Sequence, residues 1–435
     1  MKILLDLFHP GKVFKPAREV VYYLAVMLCF SLAAGCFGGV MANFLAEEVG
    51  LGEKQRGVLE FFRETPGLLL MVLLALLARR AEWWILRFGF VIAMAGLAGL
   101  LFAPPELLVA TVFIVLWSLG EHLLMPVRSS ITMHLAKPGL EGGALGFAGG
   151  ISSLGGVAGA LLVVGIFHWA RAAEWVSPAG FRAAFALSIA LLAAGLAISW
   201  RVRDTSGHVK RPRLYFRKKY VKFYILEIFY GARKQVFITF APFMLIRLYG
   251  MPTEKLALLA GVCMVLNIAA APLAGWLVDR LGYRTVMIWD TIFLFFVCLA
   301  YGYSYHVFSE ETAFWVVCGS FILDILITNA ATATNVYVRG ISDSREEVTA
   351  TLSTGISVNH LISIIVALGG GWVVAYACKL QGFADLGTRQ ELLENPAALQ
   401  ALGIGYGVLF SISATMAVLN TLFSFTLPKP VKKAA

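Results

Sequence analysis

Apolar runs of about 20 residues or more, each long enough to cross roughly 30 Å of hydrocarbon as a helix, recur from one end of this chain to the other. Twelve such runs are present, at about residues 20–45, 55–78, 84–103, 107–133, 143–168, 181–200, 222–248, 254–278, 285–305, 311–337, 347–377 and 402–426. They leave no stretch for a soluble domain. A backbone in contact with lipid must satisfy its own hydrogen bonds, and the runs lack the alternation of barrel strands, so the expectation is an all-α membrane protein. Composition agrees: of 435 residues, 59% are hydrophobic and 14% charged, a balance foreign to soluble globular domains.

A net charge of +10 could suggest a nucleic-acid partner, but its location argues otherwise. Arg201, Arg203, Lys210, Arg211, Arg213, Arg217, Lys218, Lys219 and Lys222 crowd one loop against the single acid Asp204. Assigning alternate loops to opposite sides puts most Lys and Arg on the side holding both termini, which the positive-inside rule makes cytoplasmic. The same loop can touch anionic lipid headgroups. Cys29, Cys36, Cys263, Cys298, Cys318 and Cys378 all fall inside apolar runs without a C-x-x-C pair, which points to neither disulfides nor a metal site.

The basic loop divides the runs six and six, predicting a first bundle over 1–200, a linker over 201–221 and a second bundle over 222–435. Duplicated carriers bind substrate where two such halves meet. Segments about 200 residues apart echo one another: "GGISSLGGVAGALLVVG" (149–165) and "TGISVNHLISIIVALGG" (354–370) share Gly-Ile-Ser and a small-residue tail.

The sharpest motif is "GWLVDRLGYR" at 275–284. It resembles the G-x-x-x-D-R-x-G-R-R signature of the major facilitator superfamily, matching at Gly275, Asp279, Arg280, Gly282 and Arg284. The resemblance implies twelve transmembrane helices in two pseudo-symmetric bundles, alternating access, and a cytoplasmic latch gated by Asp279 with Arg339 as partner. On physical grounds Gly275 would permit close helix approach, and Gly282 would suit a turn with an unusual backbone angle. The first half departs from the pattern: in "ALLARRAEWWILR" (75–87) Arg79 stands where Asp279 does, and the glycines are gone. Leu116 replaces the fourth-helix arginine of many proton-driven drug exporters. The glycines of the fifth helix lack the antiporter proline and are expected to serve packing.

Charge inside the runs remains to be explained, because each ion near the bilayer centre costs from about 2.5 to over 10 kcal/mol. Arg233 and Lys234 lie roughly 17 Å into a helix starting near Lys222. About 100° apart around that helix, they cannot share one face. Lys234 is expected to pair within the bundle beside Glu227, and Arg233 to point into the cavity. Glu60, Arg63 and Glu64 on the second helix are spaced to interact. Glu121 and His122, Asp324, and Asn359 with His360 complete the set.

Roles follow from chemistry. Carboxyls in a dry cavity can load and release protons, so Glu121, His122, Asp324, Glu60, Glu64 and Glu227 are the proton-coupling candidates. Arg233, Lys234, Arg63, Asn359 and His360 are the substrate-binding candidates, arginine's fork suiting a carboxylate or phosphate. The expectation is a proton-coupled secondary transporter of a small solute, such as an organic anion, in the cell membrane, the inner membrane of a bacterium. It would act as a monomer among membrane lipids, with no cofactor, metal or nucleic acid. Without a G-x-x-x-x-G-K-[ST] loop a nucleotide-driven pump is excluded, and the one constellation an enzyme could use, Glu121, His122 and His134, is split because His134 lies 12 residues after His122 near the cytoplasmic end. A drug or lipid exporter of this fold and a carrier-shaped scaffold or sensor that no longer transports are the alternatives.

Overall fold

The apolar runs leave the backbone one way to bury its polar groups, and the chain takes it. The computed structural model describes residues 10–16, 18–77, 80–137, 141–174, 178–202, 216–343, 345–387 and 389–428. Within these, regular structure is helical apart from one isolated bridge between Phe14 and Ala136. The principal helices are α1 (Arg18–Glu47), α2 (Glu53–Leu68), α3 (Leu70–Leu76), α4 (Glu82–Phe102), α5 (Leu107–Leu135), α6 (Glu141–Ala172) and α7 (Ala179–Ser199). After the basic loop come α8 (Val221–Arg247), α9 (Thr253–Leu281), α10 (Tyr283–Val307), α11 (Glu310–Ile327), α12 (Thr332–Ile341), α13 (Arg345–Leu380) and α14 (Pro396–Ser424). A 3-10 turn, Thr328–Ala331, joins α11 to α12.

Ten helical segments among the described residues are long and apolar enough to cross a membrane. The two remaining apolar runs of the sequence, 55–78 and 222–248, fall short because they carry most of the intramembrane charge. Arg56, Glu60, Arg63 and Glu64 stud α2, and Lys222, Glu227, Arg233, Lys234 and Arg247 stud α8. The run 55–78 is also broken. Pro66 within α2 cannot donate the i to i−4 hydrogen bond, and the helix stops at Leu68 before resuming at Leu70.

By contacts the chain forms two compact units. The first comprises Met1–Phe44, Leu69–Arg211 and Thr253–Val265. In it α4 packs along α5, and α1 lies against α6 at backbone distance: a methyl group on Gly159 would sit 2.4 Å from Leu32 O, and one on Gly35 2.5 Å from Gly156 O. Small residues thus do for α6 what they do in lipid generally, letting helices approach where no hydrophobic force drives them together. The glycines at 146 and 149 have open space beside them instead.

The second unit comprises Leu45–Leu68, Pro212–Pro252 and Leu266–Ala435. Two segments therefore group away from their sequence neighbours, 45–68 with the second unit and 253–265 with the first. The reason for α2 is visible in its contacts. A methyl group on Gly57 would lie 2.3 Å from Ala367 O, and one on Gly371 2.5 Å from Glu53 O. At the far end, Tyr220, Phe223, Val278, Tyr283, Tyr337 and Leu427 form a buried cluster that ties the starts of α8 and α10 to the ends of α9, α12 and the chain. Outside the spans, Asp343 accepts from Lys219 Nζ at 2.6 Å, and that hydrogen bond raises the amine above its ordinary pKa.

Gly57→Ala and Gly371→Ala should each lower stability by about 1–3 kcal/mol, the usual cost of overpacking. Thermal unfolding of the purified protein checks this, and an unchanged midpoint in both would show that α2 and α13 do not meet as described.

Candidate functional site

The intramembrane charges of the second unit fall into two clusters that share α8. Arg233 is 9% exposed. Its Nη1 donates to Asp290 Oδ1 at 2.9 Å and Oδ2 at 3.1 Å. Nη2 and Nε reach Asp324 Oδ1 at 3.0 and 3.2 Å, and Nη2 also reaches the Asp324 carbonyl at 3.3 Å. The guanidinium is thus gripped from α10 and α11 together. Arg233 was expected to point into a cavity; its side chain does line one, but its donors are occupied by two carboxylates of its own unit. The pairing has a clear cause, since an isolated guanidinium in hydrocarbon is untenable. With every group ionised, one cation faces two anions.

The second cluster surrounds α2. Arg63 Nε donates to Glu60 Oε2 at 2.6 Å, and its Nη2 to Glu64 Oε1 at 2.5 Å. Arg56 Nη1 lies 2.5 Å from Glu60 Oε1. Helical spacing makes this possible, because residues three and four apart stack on one face. From α8, Gln235 Nε2 donates to Glu60 Oε2 at 3.3 Å and to Thr239 Oγ1 at 2.6 Å, while Lys234 Nζ stands 3.8 Å from Glu64 Oε2. From α13, His360 Nδ1 is 2.9 Å from the same oxygen. Lys234 was expected beside Glu227 on its own helix; it acts on that carboxylate and also pairs with Glu64 of α2. Three cations, Arg56, Arg63 and Lys234, here meet the carboxylates of Glu60, Glu64 and Glu227, with His360 alongside. Lys234 retains 25% side-chain exposure and Arg63 14%, whereas Glu60 and Glu64 are almost fully enclosed.

Further candidates make contacts of their own. Asn359 Nδ2 donates to Glu227 Oε2 at 3.4 Å. In the first unit the His122 ring nitrogen Nδ1 contacts the Ser118 carbonyl at 2.8 Å and its hydroxyl at 3.1 Å. Glu121 acts electrostatically on Arg128, whose guanidinium lies over the Phe30 ring at 4.6 Å.

Of the signature loop, Gly282 has φ 83°, a left-handed angle that favours glycine, and caps both α9 and α10. Gly275 does not serve close packing: nothing described lies within 4 Å of where its Cβ would be. Arg280 lies over Trp276 at 5.1 Å and Arg284 donates to the Phe425 carbonyl at 2.7 Å. Arg339 is exposed at the end of α12. The Asp279 side chain and Arg79 lie outside the described part.

Sequence reasoning missed Asp290, Arg56, Gln235, and the pair Arg247 with Glu53, whose Nε and Oε1 are 3.3 Å apart. A lone carboxyl in the run 285–305 was the signal for Asp290. Arg247 was hidden at a helix end, where charge is unremarkable.

The family model of the Major Facilitator Superfamily matches residues 23–367. The chain belongs to this superfamily. Solved structures agree in fold. A bacterial homolog of the human lysosomal transporter Spinster, inward-facing and unoccupied, is similar at TM-score 0.71 and 16% identity, covering 94% of this chain and 97% of that one. A D-xylose-proton symporter gives 0.68 and 16% over 94% and 97%, and the nucleoside transporter NupG 0.67 and 11% over 95% and 100%. Among curated proteins none matches significantly. At these identities the superfamily members share a fold with this chain and nothing finer. Membership gives it the multi-pass membrane fold of this transporter superfamily.

Arg233→Ala should leave two buried carboxylates without a cation and destabilise the protein by about 3–5 kcal/mol. Adding Asp290→Asn and Asp324→Asn to that variant should recover much of the loss, as read from thermal unfolding. Equal stability of the wild type and Arg233→Ala would show that the cluster is not closed.

Proposed function

We propose that the protein is a proton-coupled secondary transporter that moves a small organic anion across the cytoplasmic membrane by alternating access. In this reading α8 and the α2–α3 pair also cross the bilayer, giving twelve spans. Bundles 1–200 and 222–435 are joined by the basic linker 201–221, and both termini are cytoplasmic.

One observation carries the assignment: Lys234 and Arg63 keep partial exposure while the carboxylates that pair with them are enclosed. Lys234, Arg63 and His360 are therefore the groups that would hold an anionic solute, with Asn359 beside them. Around Arg233 the surplus is negative and buried, which a proton on Asp290 or Asp324 would relieve. Glu60 and Glu64 orient the cations. Glu227, Glu121 and His122 are further proton-carrying groups in this reading. Gly275, Asp279, Arg280, Gly282, Arg284 and Arg339 form the cytoplasmic latch.

Purified protein in liposomes tests this. An inward proton gradient should drive uptake of at least one member of a panel of small carboxylates and phosphate esters, and Lys234→Gln should raise its KM at least tenfold. Asp324→Asn should abolish gradient-driven accumulation while leaving solute exchange across the membrane intact. Uptake indifferent to the gradient would remove the proton. Preference for neutral or cationic amphipaths would favour an exporter of drugs or lipids, and no uptake of any solute a non-transporting scaffold.

Asp279→Asn should slow turnover several-fold with no change in thermal midpoint. Full turnover in that variant would remove the latch.

A further inference from the structure

The second unit holds a cavity of about 300 Å³ among α8, α10, α13 and α14, at the lower end of the roughly 300–1,000 Å³ spanned by ligand sites. Its wall is mostly apolar, with Phe229, Phe237 and Leu409 among the side chains that form it. Ile365 of α13 and Ile412 of α14 line it while remaining 57% and 47% exposed. The way in, between those two helices, is therefore apolar.

What the cavity offers a ligand is decided by its few polar groups. The charged side chain in its wall is that of Arg233, and neither Asp290 nor Asp324 lines it. All three guanidinium nitrogens already donate to those aspartates. An anion thus finds only donors that are spent, and a cation meets the guanidinium instead of a carboxylate. Ser413 Oγ donates to the Leu409 carbonyl, and the Cys298 thiol is a weak donor. Asn420 differs. Its Oδ1 accepts from Ser424 Oγ at 3.5 Å, and among the described residues nothing accepts from its Nδ2. An amide donor in an apolar wall rewards any ligand that brings an acceptor. Asn420 and Ser413 stand about 10 Å apart along one face of α14, and Met416 and Ala417 between them line the same wall.

We infer that this cavity binds an uncharged lipophile drawn from the bilayer, one with a carbonyl near its end. The carbonyl oxygen accepts from Asn420 Nδ2, and the chain runs along α14 toward Ser413 and Leu409. A plain hydrocarbon gains the burial without the hydrogen bond. An ion of either sign loses its hydration and finds no free counter-charge in the wall. The ligand is distinct from the anionic solute proposed above, and the site depends on neither that solute nor a proton.

Scintillation proximity measurement of tritiated 2-nonanone on the full-length protein in lipid nanodiscs tests this, with empty nanodiscs subtracted and nonane, nonanoate and nonyltrimethylammonium as competitors. The ketone should bind saturably at one site. Each competitor should be weaker than unlabelled 2-nonanone by about fivefold or more, the worth of one hydrogen bond. Asn420→Leu removes the donor at similar volume, so in that variant nonane and 2-nonanone should compete equally. Gly369→Leu adds a side chain one helical turn from Ile365 at the mouth, where a Cβ meets nothing within 4 Å. It should weaken binding about tenfold or more with an unchanged thermal midpoint. Nonane matching the ketone on the wild type would reduce the cavity to a slot for lipid chains and overturn the assignment. Tighter binding of either ion, a ketone preference that survives Asn420→Leu, or undiminished binding in Gly369→Leu would overturn it too. Should a variant fold poorly, the ranking of the four compounds on the wild type decides alone. Binding needs no gradient and no transport, so its failure leaves the proton-coupled reading standing, and failure of coupling leaves this site standing.

Discussion

An ion placed in hydrocarbon must find a counter-charge, and that demand organises the second unit. Arg233 and Lys234 are adjacent, yet the helical rotation between them sends one toward α10 and α11 and the other toward α2 and α13. Each then gathers what its surroundings supply: two carboxylates for Arg233, and for Lys234 a carboxylate already bound to Arg63 and His360. The two gatherings differ in balance: Arg233 alone faces two anions, while Lys234, Arg63 and Arg56 meet Glu60, Glu64 and Glu227.

Close packing makes the second of these gatherings possible. Gly57 and Gly371 bring the backbones of α2 and α13 together, which carries Glu60 and Glu64 within reach of Gln235, Lys234 and His360. Leucine at either glycine would hold the helices apart by more than a hydrogen bond's length. Small side chains and charged ones, which look unrelated along the chain, therefore act as one device.

Much of this was legible in the sequence, and the limits have physical causes. Apolar runs announced helices because hydrocarbon allows little else, and the Gly275 to Arg284 motif announced the superfamily. Arg233 was legible as a buried cation but not as one already spent on two partners, because its acids lie 57 and 91 residues away. Helical periodicity reports which residues share a face and is silent on what that face meets. Asp290 shows the same limit from the other side: one acid in a long apolar run is conspicuous by itself, and only the fold says which cation it serves. The spacing of Glu60, Arg63 and Glu64 was read correctly because both partners sit on one helix.

The interruption at Leu69 coincides with the point where the chain passes from one compact unit to the other, since Leu68 belongs to the second and Leu69 to the first. Helix α9 makes the reverse passage between Val265 and Leu266 inside one helical span, Thr253–Leu281, and Pro272 leaves a rung of that helix without a donor as well. Both crossings from one unit to the other therefore lie within about two turns of a missing backbone hydrogen bond.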